Sequence, residues 1–133
     1  MYIQLLNSVS TRKLDATGDT GDLDLSAQPI VFYIGNDTLA IDRDDNLIVG
    51  RVDIDNPDTQ IDVDLELYQA QEKGLSRQHM RLDAAHNPPM VTDLGSYNGT
   101  FVNGQKLVPD QPHPLSSGDE LRLARLILRV YFK

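Results

Sequence analysis

IVFYIGNDTLAI, Ile30 to Ile41, decides what kind of fold this chain makes. Ile30–Ile34 is a short apolar run of β-branched and aromatic residues, which suit a pleated, half-buried surface. Gly35-Asn36-Asp37 follows, a cluster that tolerates positive φ and reads as a hairpin turn. Thr38–Ile41 then returns as a second strand. Such runs are too short for helices, and their turn chemistry is that of antiparallel strands.

The same pattern recurs downstream. NLIVG (Asn46–Gly50) reads as a strand. IDVDLEL (Ile61–Leu67) alternates apolar odd positions with acidic even ones, the period of a strand with one wet face. Asp62, Asp64 and Glu66 are then expected on the solvent side, where they also discourage edge pairing. His79–Asp83, Pro89–Leu94 and Thr100–Gly104 add further strands. ELRLARLILRVYF (Glu120–Phe132) contains good helix formers. Its apolar positions nevertheless resemble paired core strands joined near Ala124–Arg125, with a Gly-Asp turn just before. Many short strands with regular turn signals predict an all-β sandwich, and neither a repeat nor a helix stands out.

A length of 133 residues suits one domain with its own core. The absence of cysteine excludes a disulfide framework and a thiolate metal site, and fits a reducing compartment. MYIQLLNSVSTRKLD lacks a basic start followed by a long apolar run, so no signal peptide is expected. No stretch is apolar enough to insert in a bilayer, and a cytoplasmic protein is expected. Net charge is −8 but unevenly placed: fourteen acids face four bases in residues 1–70, against six and eight in 71–133. That distribution argues against a broad basic face for nucleic acid and leaves room for a local basic site in the second half. Residues 1–28 are polar, acidic and rich in Thr, Gly and Asp, so they are expected to form a flexible tail ahead of a domain over 29–133.

Four stretches stand out: VGR (Val49–Arg51), GLSRQH (Gly74–His79), DLGSYNGT (Asp93–Thr100) and FVNG (Phe101–Gly104). Arg51 supplies a planar fork of donors suited to phosphate or carboxylate, and Arg77 a second cation beside the Ser76 hydroxyl. Gly74, Gly95 and Gly99 permit turns that aim N–H groups outward. Asn98 can donate and accept, which suits a peptide backbone. Together these make an anion site beside a backbone clamp. Ser76 and His79 also invite a nucleophile–base reading. Nothing in their spacing brings the side chains together, and no nucleophile elbow surrounds Ser76, so no catalysis is expected. Asp42, Asp44 and Asn46 match the start of an EF-hand loop. Leu47 at its sixth position, Asp53 at its twelfth and flanking strands break that match. His86 and His113 stand alone in Pro-rich loops. No metal site and no cofactor are expected.

Order and separation add a family. Gly50-Arg51, then Ser76-x-x-His79, then Ser96-x-Asn98-Gly99-Thr100, followed by FVNG and SGDELRL, resembles the forkhead-associated (FHA) domain over roughly residues 29–133. The resemblance implies a β-sandwich of about eleven mostly antiparallel strands with recognition loops at one end. It implies an adaptor in signalling that binds phosphothreonine peptides, with a Ser/Thr protein kinase or its substrates among its partners. It implies that Arg51 and Ser76 contact the phosphate, with Arg77 adding to them, and that His79 braces the loops. Asn98 would bond the peptide main chain, Gly50, Gly99 and Thr100 would shape the loops, and Asn103 would support the peptide-facing turn. Tyr97 would join Asn98 at the peptide backbone, but it departs from the pattern, since many members carry Thr or Ser there; it keeps the backbone N–H and loses the short hydroxyl. That departure and the net charge favour an alternative, a phosphate-independent scaffold on the same fold. Thr11, Thr17 and Thr20 in the tail are candidate phosphosites. Thr11 and Thr20 are each followed three residues on by a leucine, Leu14 and Leu23, and a phosphorylated tail would bind back in cis.

Overall fold

The computed structural model describes residues 28–43 and 46–133. The phosphosite candidates Thr11, Thr17 and Thr20, their leucines Leu14 and Leu23, and Asp44 of the calcium-like stretch lie outside the described residues. Eleven strands are formed among the described residues: β1 (Ile30–Ile34), β2 (Asp37–Ile41), β3 (Asn46–Gly50), β4 (Val63–Asp64), β5 (Gln78–Asp83), β6 (Met90–Asp93), β7 (Thr100–Val102), β8 (Gln105–Lys106), β9 (His113–Pro114), β10 (Glu120–Leu123) and β11 (Leu126–Tyr131). They form two sheets, ordered β2-β1-β11-β10-β7-β8 and β4-β3-β5-β6-β9. Every pairing is antiparallel except β3 with β4. The expected all-β sandwich is therefore what the chain makes. Among the described residues no helix is long and apolar enough to cross a membrane.

Strand alternation builds the core. Ile30, Phe32 and Ile34 of β1 point inward with Leu126, Leu128 and Val130 of β11 and Leu121 and Leu123 of β10. Val49, Met80, Leu82 and Val91 meet them from the second sheet in one buried cluster. The predicted break in ELRLARLILRVYF falls where expected, at Ala124–Arg125. Its apolar residues, however, divide between two faces: Ile127 and Tyr131 are 52% and 42% exposed.

Ile61–Leu67 differs most from its reading. Only Val63–Asp64 is strand, and Glu66–Tyr68 is a 3-10 turn that leaves Leu67 exposed. The acidic positions explain the change. Asp64 is buried, and its Oδ1 accepts the N–H groups of Val52 and Glu66, both at 3.1 Å. The Asp62 carboxylate accepts from the N–H of Ile48 at 2.8 Å. Such side-chain to backbone bonds compete with a strand ladder, and Glu66, though exposed, also accepts the Gln71 N–H. His113 also differs, lying in β9 opposite Val91 instead of in a loop.

Phe32 is fully buried between the sheets. Phe32→Ala should lower unfolding free energy by about 3–5 kcal/mol, whereas the outward Ile127→Ser should change it by less than about 1 kcal/mol. Urea denaturation of the two variants checks this division of faces.

Candidate functional site

Four connections meet at one end of the sandwich: those after β3, before β5, between β6 and β7, and between β10 and β11. Gly50 starts the assembly. A β-carbon there would lie 1.7 Å from the Arg77 carbonyl oxygen, so only glycine allows this approach. The contact lets the Arg51 N–H donate to that oxygen at 3.0 Å. The Arg51 Nε donates to the Leu75 carbonyl at 2.8 Å, which fixes the guanidinium and leaves its Nη groups as donors toward the cleft. Asp64, bonded to the Val52 N–H, holds this segment from behind.

His79 joins two of the connections. It is fully buried, and its Nδ1 accepts the N–H of Ser76 at 3.0 Å. A ring nitrogen that accepts cannot carry the proton, so Nε2 carries it and donates to the Gly99 carbonyl at 2.9 Å. The Ser76–His79 side-chain pairing is not formed, because His79 meets the amide of Ser76 and not its hydroxyl. Ser76 Oγ instead accepts the Tyr97 N–H at 2.9 Å. The main-chain donor that Tyr97 was expected to offer is thus taken, and its side chain is 91% exposed.

Asp93 organises the loop between β6 and β7. Its carboxylate accepts from the N–H groups of Gly95 and Ser96 at 3.0 and 3.1 Å, from Ser96 Oγ at 2.5 Å and from Thr100 Oγ1 at 2.6 Å. Burial pushes this carboxyl up, but the bonds from Ser96 and Thr100 outweigh it and hold the group below its ordinary value. Ser96 Oγ in turn accepts the Gly99 N–H at 3.0 Å. Asn98 Nδ2 donates across to the Gly74 carbonyl at 2.9 Å. Gly74 has φ +87°, and a β-carbon there would fall 2.6 Å from that same Nδ2. Its backbone angle favours glycine, and a side chain there would displace the Asn98 amide.

Arg51, Ser76 and Arg77 line one open cleft of about 420 Å³ with Thr59 and Gln78. Tyr97 and Asn98 stand beside it, tied to its wall by the bonds to Ser76 and Gly74. Arg77 is half exposed, and its Nε lies 2.8 Å from Asp53 Oδ2. Asp53 is held low by the Asn56 side chain and the Asp55 N–H, helped by Arg77 and Arg51. Asn103 is not brought into this group. It sits past the far end of β7, where its Nδ2 donates to Asp119 and its Oδ1 accepts the Glu120 N–H. Thr59, Asp53 and Asp93 were absent from the predicted site. Asp93 had a legible signal, since an Asp followed by Gly and Ser at the second and third positions is a side-chain-capped turn. Asp53 and Thr59 had none, because only the fold places them beside Arg77. Among the described residues no cluster of His, Asp or Glu is arranged to hold a metal ion.

Burial lowers the proton affinity of His79, against smaller opposite effects of Gly99 and Asp93. The unfolded chain then takes up a proton that the folded one refuses, so stability is full above the ordinary histidine pKa and falls as pH drops below it. Urea denaturation should show declining stability from about pH 7 toward pH 5. His79→Ala should be less stable at neutral pH and should lack the part of that slope due to this residue.

Comparison with known proteins places the fold in a family. Residues 47–124 match the sequence profile of the FHA domain. An FHA domain-containing protein of Arabidopsis thaliana is 35% identical over 52 residues, which cover 39% of this chain and 14% of that protein. The chain therefore spans only a small part of that relative's length. Among solved structures, an FHA domain described for its phosphothreonine-dependent interactions superposes with TM-score 0.59 at 24% identity, covering 79% of this chain and 97% of that one. The FHA domain of an Arabidopsis thaliana hypothetical protein gives TM-score 0.61 at 24% identity, covering 80% and 86%. With more than half its length matched by the family profile, the chain belongs to the FHA domain family.

Proposed function

We propose that this chain is a phosphothreonine-peptide-binding module without catalysis of its own. The observation that carries the reading is the cleft in which Arg51, Ser76 and Arg77 converge. A phosphothreonine brings about −1.5 to −2 charges and three strong acceptor oxygens. The guanidinium of Arg51, already fixed through its Nε, offers its remaining donors to them. Ser76 Oγ accepts from Tyr97, which turns its own O–H toward the cleft. Arg77 adds a second cation at the rim, with Asp53 holding its Nε. Asn98 spends its amide N–H on Gly74, and its carbonyl oxygen is the group that would accept a peptide N–H beside the phosphothreonine. These groups are held before any ligand arrives, which reduces the ordering cost of binding.

Tyr97 does not favour the phosphate-independent alternative on this geometry. Its ring lies outside the cleft lining, and its N–H serves to hold Ser76. Partners are phosphothreonine-bearing proteins, which a Ser/Thr kinase would generate. The tail enters the same reading, since a phosphate on Thr11, Thr17 or Thr20 would be a ligand in cis. The ten residues from Thr20 to Ile30 reach at most about 35 Å when extended. Phosphorylation of these threonines should then shift the amide signals of Ser76 and Asn98 in NMR spectra. Unmoved signals would remove the tail from the account.

Isothermal titration with a degenerate phosphothreonine library and its unphosphorylated twin tests the main reading. Binding should require the phosphate. Arg51→Ala should weaken it by about a hundredfold or more, and Ser76→Ala by about tenfold. Equal binding of the two libraries would overturn the proposal.

A further inference from the structure

The outer face of the six-stranded sheet carries three large apolar or aromatic side chains that meet water. Tyr33 and Tyr131 are 46% and 42% exposed and stack edge to face with centroids 5.2 Å apart. Ile127, beside them on β11, is 52% exposed. These residues and Arg129 line a shallow groove of about 590 Å³. A second groove of about 450 Å³ adjoins it, shares Gly35 and Ile127, and includes Leu67, Lys73 and Arg125. Contiguous exposed aromatic and aliphatic groups mark interaction sites, and Tyr and Arg are enriched where partners dock.

Two features say what kind of partner fits. The first is charge. In a chain of net charge −8, the two grooves are lined by three cations, Lys73, Arg125 and Arg129, and by no carboxylate. Glu120 faces Arg129 across β10 and β11 and Asp37 bonds Tyr68, both outside the lining, and Arg125 and Arg129 each also donate to a backbone carbonyl, of Glu72 and Gly118. The second is position. The Arg125 N–H bonds the Lys73 carbonyl, and Lys73 precedes Gly74, whose carbonyl holds Asn98. The grooves therefore begin where the phosphothreonine cleft's backbone clamp ends.

We propose that these grooves form a second docking surface, which takes an acidic segment bearing aromatic or aliphatic side chains from the same partner that supplies the phosphothreonine. The inference rests on the phosphothreonine reading. Its apolar side chains lie against Tyr33, Ile127 and Tyr131, and its carboxylates meet Lys73, Arg125 and Arg129. Linking the two contacts makes the second one intramolecular, which raises affinity without altering the first site.

The test uses the full chain and three probes. One is the best short binder from the phosphothreonine library. The second is that peptide extended at either end by a segment alternating Glu with Phe and Leu. The third is the segment alone. The extended peptide should bind about tenfold more tightly than the short one, and Ile127→Asp should abolish that gain while leaving the short peptide's affinity unchanged. The segment alone should shift the Ile127 methyl and the Tyr33 and Tyr131 ring signals and leave the Ser76 and Asn98 amides unmoved. These shifts without any phosphate dependence in the short peptide would uphold the docking surface and refute the phosphothreonine reading. A gain that survives Ile127→Asp, equal affinity of short and extended peptides, or no shifts with the segment would overturn the surface. Concentration-dependent shifts of the same signals without peptide would assign the face to a second copy of the chain and also overturn it.

Discussion

One buried imidazole sets the geometry on which the binding end depends. His79 accepts from the Ser76 N–H and donates to the Gly99 carbonyl, so one ring fixes the distance between the loop before β5 and the loop before β7. Both bonds need a neutral ring with its proton on Nε2, and burial favours the neutral form. With those loops in place, Ser76 Oγ reaches the Tyr97 N–H and Asn98 reaches Gly74. The loop before β5 and the loop before β7 thereby become one unit.

Around that ring the design repeats a single device. Carboxylates and amides on strand ends bind backbone groups of the next loop. Asp93 gathers Gly95, Ser96 and Thr100, and Asp64 steadies Val52 and Glu66. These two carboxylates therefore serve loop architecture. The cations of the cleft, Arg51 and Arg77, are held on that scaffold through their Nε atoms, by the Leu75 carbonyl and by Asp53.

Much of this was legible in the sequence, for physical reasons that differ by region. The β1–β2 hairpin was readable because its turn chemistry admits few alternatives. The split of Glu120–Phe132 into two strands was readable from its apolar pattern and from the Gly-Asp turn before it. Motif order placed Arg51, Ser76, His79 and Asn98 at one end before any geometry was known. Ile61–Leu67 misled because its alternation matched a strand, whereas Asp62 and Asp64 bond the backbone and end it early. Asp53 and Thr59 were invisible, since their nearness to Arg77 arises only when the segment after β3 folds over the cleft. Ile127 and Tyr131 were read among paired core strands, whereas the alternation of β11 turns them outward.

The central claim is that a preformed, His79-braced cleft receives a phosphate through Arg51 and Ser76. A crystal structure of the full chain with a bound phosphothreonine peptide tests it most directly. The account predicts phosphate oxygens about 3 Å from Ser76 Oγ and the Arg51 Nη groups, with the bonds of His79 to Ser76 and Gly99 unchanged. A phosphate seated elsewhere, or a His79 that swings out to meet it, would contradict the account.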